Sequence, residues 1–272
     1  MDERTKRSRR LAFIGTLLAI LLLVGFVSFP LLSGIVAPLV PQQVEDAIGA
    51  EMIKGTAEEG SFCTDAEGVA VLEELVRRLA KEADDRTFKV YVSDQEIVNA
   101  FAAPGGHVVI FKPIIDQADG PDEVAGVLAH EMGHIVERHP AESLVEAVGY
   151  GIFGMLTPGD GDHEEVAKSL LTNHYSRGDE LDADRAGVEL LNAAGIDSRG
   201  LFSFFERLKE DGDDVPGAVE FLSTHPSGET RKANLEEVAH AGEPALSEKD
   251  WAALQAICSE SGPPEPILVE AR

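Results

Sequence analysis

Cysteine is nearly absent from this 272-residue chain: Cys63 and Cys258 are the only two, and neither has a histidine or a second cysteine at metal or redox spacing. Thiolate metal sites and dithiol redox motifs are thereby excluded. Positive charge is also scarce, with 23 Lys and Arg against 49 Asp and Glu and a formal net charge of -26. A surface of that sign repels nucleic acid, which is not expected as a partner. No internal repeat occurs. What remains is one helix-rich α+β domain of about 200 residues behind a distinct N-terminus.

That N-terminus departs from the acidic balance. Arg4, Lys6, Arg7, Arg9 and Arg10 precede an uncharged apolar run from Leu11 to Phe29, and no charge follows until Glu45. At 1.5 Å per residue the run can cross a hydrocarbon core of about 30 Å, and its basic flank stays cytoplasmic. The expectation is a cytoplasmic tail over 1–10, a transmembrane helix in the lipid bilayer over 11–37 and a linker over 38–60. That is the topology of a single-pass bacterial inner-membrane protein with its domain in the periplasm. A cleavable signal peptide shares the basic start, but its apolar region is usually shorter, and Pro38 after Ala37 makes a poor cleavage site. No cysteine follows the run closely, which argues against a lipoprotein anchor. In an oxidising compartment Cys63 and Cys258, one at each end of a domain spanning 61–258, suggest a disulfide; two unpaired buried thiols are the alternative. Residues 259–272, with three prolines, read as a flexible tail.

The chemistry is concentrated in His130-Glu131-Met132-Gly133-His134. On a helix, positions i and i+4 lie about 40° apart, so the two histidines project from one face and can share a metal. Glu131 stands near that face without being a ligand, where it can act as general base on a water. Gly120-Pro121-Asp122-Glu123 is a helix start, with Pro at the first position and acids in the first turn. Val124, Leu128, Met132 and Ile135 fall on the face away from the histidines, so one side packs while the other holds metal.

A third protein ligand is needed to leave zinc one open position. Position 140 is Pro140, which excludes the metzincin arrangement of a histidine six residues beyond His134. His139, next to Arg138 at the helix end, reads as a structural or supporting group. Glu180 is the better candidate. The run from His174 through Ala194 is helix-like, closes at Gly195 and puts Glu180 and Asp184 on one face. Asp184 can then accept a hydrogen bond from the far nitrogen of a ligand histidine, fixing its tautomer. The competing reading is that Asp179, Glu180, Asp182 and Asp184 form only a solvated acidic face.

Upstream, Phe88 to Val92 reads as a strand, and Val98 to Ala103 and His107 to Phe111 as extended runs joined by a turn at Gly105-Gly106. The segment Asn99, Ala100, Phe101 and Ala102 is a candidate edge strand, able to pair with an extended peptide through main-chain hydrogen bonds. The alternative is a hairpin that only supports the helix. Downstream, Ser223-Thr224-His225-Pro226 puts a histidine in a tight loop. His225 is placed to donate to an oxyanion, to occupy the open metal position, or simply to brace its loop. Helices are expected near 66–82, 122–138, 140–155, 164–194, 198–210 and 228–241, and the Gly- and Asp-rich stretch from Thr157 to His163 as a loop placed to act as a lid.

Four segments together resemble peptidase family M48. They are the His-Glu-x-x-His helix, the Ser-Arg-x-x-Glu-x-x-Ala-Asp string at 176–184, the stretch Asn99 to Gly106 before it, and Thr224-His225-Pro226 through Arg231 after it. The family includes CAAX prenyl endopeptidases, HtpX-type membrane proteases and periplasmic BepA-type and YcaL-type quality-control proteases; the layout here is most similar to the last group. The resemblance covers roughly 45–240. It implies a gluzincin fold with a small sheet and one Zn2+ per chain held by His130, His134 and Glu180. It further implies Glu131 as general base, Asp184 as the acid beside the site, and Arg231 as a partner for an acid nearby. Gly178-Asp179, where many relatives carry larger polar residues, departs from the pattern without touching an assigned role.

The expected activity is therefore that of a membrane-anchored zinc metalloendopeptidase acting on unfolded or misassembled envelope proteins. The alternatives are a chaperone-like binding protein on the same fold, without turnover, and a processing protease with one substrate.

Overall fold

The computed structural model describes residues 30–59, 61–83, 86–156, 175–210, 218–225 and 238–271, with scattered positions between 13 and 24. Two compact units emerge, Met1–Leu39 with Glu142–Leu171, and Val40–Ala141 with Thr172–Arg272. In the first, helix α1 (Pro30–Val36) exposes Leu32 and Ile35, and Ser33 Oγ donates to Glu146 Oε1 at 2.9 Å. Among the described residues no helix is long and apolar enough to cross a membrane. Most of the 11–29 run on which the transmembrane expectation rests lies outside the described residues.

The second unit carries the chemistry. It opens with α2 (Gln42–Glu59) where a linker over 38–60 was expected. Few apolar positions mark this helix, and its value is tertiary: Ile53 packs with Phe62, Tyr91, Val109 and Phe111 on one face of the sheet. There follow β1 (Phe62–Cys63) and α3 (Ala66–Leu79), whose N-terminus is capped by Asp65 accepting from the Glu67 and Gly68 amides. Leu72, Leu75, Val76 and Leu79 recur at helical spacing and form the buried stripe of α3.

Strands β2 (Thr87–Ser93), β3 (Ala100–Ala103) and β4 (His107–Phe111) come next. The β3–β4 turn needs glycine, because Gly105 and Gly106 both adopt φ near +80° (80° and 81°). Helices α4 (Lys112–Gln117), α5 (Pro121–Val136) and α6 (His139–Leu156) follow. After them stand α7 (Arg177–Ala193), α8 (Gly200–Glu210), α9 (Ala218–Thr224) and α10 (Glu248–Gln255).

The helix expected over 164–194 begins, among the described residues, only at Arg177. The reason is local: Ser176 Oγ accepts from the Asp179 amide while Asp179 accepts from the Ser176 amide, a closed capping box. Asp179, which departs from the family pattern, thus starts the helix that carries the candidate ligand. The expected 157–163 loop lies outside the described residues, as does most of the 228–241 helix.

The tail expected to be loose is instead part of the sheet. Strands β5 (Ser261–Gly262) and β6 (Ile267–Glu270) pair antiparallel with β1 and β2. Three prolines obscure the alternation that builds β6, where Ile267 and Val269 are buried and Leu268 and Glu270 exposed. The path of the sheet is β3-β4-β2-β1-β5 with β6 also on β2, and among the described strands only the β2–β4 pair is parallel. A bond between Cys63 and Cys258 ties β1 to the C-terminal end of the chain. The result is a helix-rich α+β unit in which α5 and α7 lie side by side.

Candidate metal centre

Helix α5 buries every residue from Glu123 to Ile135, including His130, Glu131 and His134. Four ionisable side chains on a fully buried stretch, Glu123 among them, are costly unless they are partnered. The partner helix is α7, which sets Glu180 and Asp184, also buried, against the same face. His225, just past α9, completes the group. One ligand atom each from His130, His134, Glu180 and His225 lies within 4.8 Å of all the others, the geometry of a site able to hold a metal ion.

The hydrogen bonds orient the imidazoles. His130 Nδ1 stands 2.9 Å from Asp184 Oδ1, and since a carboxylate only accepts, His130 donates there and turns its Nε2 toward the other site groups. His134 Nδ1 lies 2.9 Å from His139 Nδ1. With His134 donating, its Nε2 also faces inward, and the two Nε2 atoms are 3.1 Å apart. The Glu180 carboxylate closes on both, at 3.6 Å from His130 Nε2 and 3.4 Å from His134 Nε2. Two imidazole nitrogens and a carboxylate thus converge in a buried interior, each offering an atom able to ligate a cation. These residues therefore fit a divalent metal.

Electrostatics agree. Burial holds the His134 imidazole well below the usual histidine range, so it is neutral and able to ligate. His139 is lowered by burial as well. At Glu180 burial acts to raise the carboxyl, but His225 and His134 outweigh it and hold the group ionised. Glu131 goes the other way: burial raises its carboxyl above the ordinary value, only partly offset by His225 and His130. The Ala102 amide faces the Glu131 carboxylate and slightly offsets that rise, and Oε1 stands 3.4 Å from His225 Nε2. A buried carboxyl of raised pKa beside such a cluster is suited to accept a proton from a water.

His225 stands against both the cluster and β3. Its Nδ1 is 3.2 Å from both His130 Nε2 and Glu180 Oε1, and its Nε2 is 3.5 Å from the Ala100 carbonyl oxygen. Phe221 packs against its ring at 5.1 Å. The expected edge segment is close by. β3 lies at the end of the sheet path, but Ala100 and Ala102 are buried rather than open to solvent. Asn99 precedes the strand; its carbonyl accepts from the Phe111 amide and its side chain from the Ala100 amide. Arg231 lies outside the described residues.

One site residue carries no signal in the sequence. Tyr175, directly before the Ser176 cap, lays its ring on His134 with centroids 3.9 Å apart and planes at 20°. Its hydroxyl donates to the Ala102 carbonyl at 3.4 Å. Burial raises the phenol well above its ordinary value, so it keeps its proton. The only available clue was its position one residue before a helix cap, a place where a side chain is aimed by the cap rather than by helical periodicity.

A family model described as Peptidase family M48 matches residues 65–239. Mitochondrial metalloendopeptidase OMA1 of Arabidopsis thaliana is 34% identical over 157 residues, covering 55% of this chain and 31% of that protein. Its namesake in Saccharomyces cerevisiae is 34% identical over 145 residues, 50% of this chain and 42% of that protein. The beta-barrel assembly-enhancing protease of Escherichia coli K12 is 27% identical over 192 residues, 64% of this chain and 39% of that protein. The chain thus spans less than half the length of these curated relatives.

Proposed function

The chain belongs to peptidase family M48, and on that premise we propose that it is a zinc-dependent endopeptidase hydrolysing peptide bonds of unfolded or misassembled envelope proteins. The observation that carries the reading is the convergence of His130 Nε2, His134 Nε2 and Glu180 beside a buried Glu131 of raised pKa. His130, His134 and Glu180 would hold the ion. Zinc in such a site supplies Lewis acidity toward a carbonyl and makes water acidic enough to attack near neutral pH. Glu131 takes the proton of the attacking water and delivers it to the leaving amine, a double use that its raised pKa suits. Asp184, through His130 Nδ1, keeps the ligand lone pair aimed inward.

The substrate class rests on two supports: the main-chain edge of β3 beside the cluster, which asks little of side chains, and relatives whose names include a beta-barrel assembly-enhancing protease. Tethering to a bilayer rests on the basic residues before the 11–29 apolar run, and a periplasmic domain on the Cys63–Cys258 bond, which suits an oxidising compartment. A binding protein without turnover would have no use for a fully buried carboxyl like Glu131, whose desolvation raises its pKa.

The test is casein cleavage and metal content of the purified chain beside Glu131→Gln. Wild type is expected to hold about one zinc and cut, and the variant to hold zinc and lose at least about 10²-fold in rate. A wild type without zinc sinks the reading. Zinc without cleavage of any unfolded protein points to the binding protein, and cleavage of one partner alone to the processing protease.

A further inference from the structure

The edge of β3 nearest the metal cluster is already occupied. Phe111 N–H donates to the Asn99 carbonyl, so by antiparallel alternation Phe101 and Ala103 also turn toward β4, while Ala100 and Ala102 turn their amides and carbonyls away. Each outward carbonyl is met by a side chain of the site. His225 Nε2 lies 3.5 Å from the Ala100 oxygen, and the Tyr175 hydroxyl donates to the Ala102 oxygen at 3.4 Å.

We propose that Tyr175 is a catalytic hydroxyl held in reserve: an extended peptide pairing with β3 takes over the Ala102 carbonyl, and the released phenol donates to the carbonyl oxygen of the bond being cut. This deepens the peptidase reading above and rests on it.

Three observations converge. Outward carbonyls two residues apart repeat at about 6.7 Å along a strand, the spacing of successive outward amides in an extended peptide, so the two caps stand where substrate N–H groups would go. Both contacts are longer than ordinary hydrogen bonds, so a substrate amide displaces them at little cost. The Tyr175 ring is pinned against His134, so a hydroxyl freed from Ala102 stays beside the cluster instead of swinging into solvent.

The balance of the step is unaltered by this assignment. The water oxygen bonds to the carbonyl carbon, the C–N bond breaks, and the water proton reaches the amine through Glu131. Tyr175 keeps its own proton and donates a hydrogen bond as negative charge builds on the oxygen, a role that is empty in the ground state and therefore acts on kcat. Strand pairing and chemistry are thereby coupled, because a ligand that does not claim the Ala102 carbonyl leaves the donor engaged.

The experiment compares the full chain with Tyr175→Phe, which keeps the ring on His134 and removes only the hydroxyl. Both are assayed on a quenched peptide spanning a casein site mapped with wild type, with zinc content and thermal midpoint recorded. The proposal expects unchanged zinc and midpoint, kcat lower by about 10²-fold, and KM unchanged or lower because the Ala102 carbonyl is no longer capped. Equal or faster turnover by the variant would overturn it and leave Tyr175 a mere cap. Loss of zinc or of the folding transition would overturn it too, assigning the hydroxyl to scaffolding. A wild type that holds zinc and cuts nothing removes the peptidase reading itself, a result separate from any property of the variant.

Discussion

Gly133 on α5 faces the Ala183 carbonyl of α7 so closely that a Cβ on the glycine would sit 2.4 Å from that oxygen. From the other side, a Cβ on Gly187 would meet the Ala129 carbonyl at 3.1 Å. The two helices therefore touch through glycine, and that approach sets the gap between His130 and His134 on one and Glu180 on the other. Helix packing and ligand geometry are a single constraint here.

Gly133→Ala is accordingly expected to cost about 1–3 kcal/mol of stability and to weaken zinc binding as Glu180 is pushed back. Denaturant titration with zinc present and absent measures both. A variant that is destabilised yet binds zinc as tightly as wild type would show that the side chains absorb the displacement.

His225→Ala removes a ring whose Nδ1 faces the ligand cluster at 3.2 Å. If that ring closes the fourth metal position at rest, casein cleavage rises, by roughly ten-fold for a closed form favoured by about 1.4 kcal/mol. Zinc is retained on His130, His134 and Glu180. A fall in kcat with zinc intact would instead assign the histidine to the transition state.

Removing the Cys63–Cys258 bond by the double change to serine frees a loop with a sequence separation of 195 residues. The chain-entropy treatment puts the loss at up to about 5 kcal/mol, and measured values commonly run lower. The bond lies where the C-terminal segment joins the sheet, so amide exchange in β6 is expected to rise first. Uniform loss of protection across the domain would contradict that local effect.

His107 supplies a pH signature away from the metal. Its ring is buried under α2, its Nδ1 lies 3.1 Å from the Tyr91 hydroxyl, and its Nε2 makes no hydrogen bond among the described residues. Burial, helped by Lys89 and opposed by Asp46, pushes its pKa down to about 4. The unfolded histidine titrates near 6.5, so between those values the unfolded chain binds more protons. Stability is therefore lost as pH falls from about 6.5 to about 4 and levels off below. Urea midpoints for wild type and His107→Gln should converge across that window, since the variant lacks this contribution; parallel curves would refute the assignment.

The pair of imidazoles was legible because its geometry is local: a four-residue spacing on one helix needs no tertiary information. Glu180 and Asp184 were legible as a second local spacing, and the capping box at Ser176 was implicit in the same string. The α2 helix was not, since its apolar positions are sparse and only the sheet beneath them makes Ile53 a core residue. β6 escaped notice because prolines precede it and its partner strand lies far away in sequence.

By itself, then, the sequence determined the chemistry on offer: two histidines and a glutamate on one helix, two acids on another, a histidine in a loop, and two cysteines at the domain's ends. Only the tertiary structure decided which of these groups meet. It brought α7 against α5 through glycine, set His225 beside His130 and Glu180, sent the C-terminal segment back into the sheet, and laid Tyr175 across His134 with its hydroxyl on β3. The physical reason is that helix spacing is set by bonded geometry within a few residues, whereas the direction of a cap residue or a loop side chain is set by what packs around it.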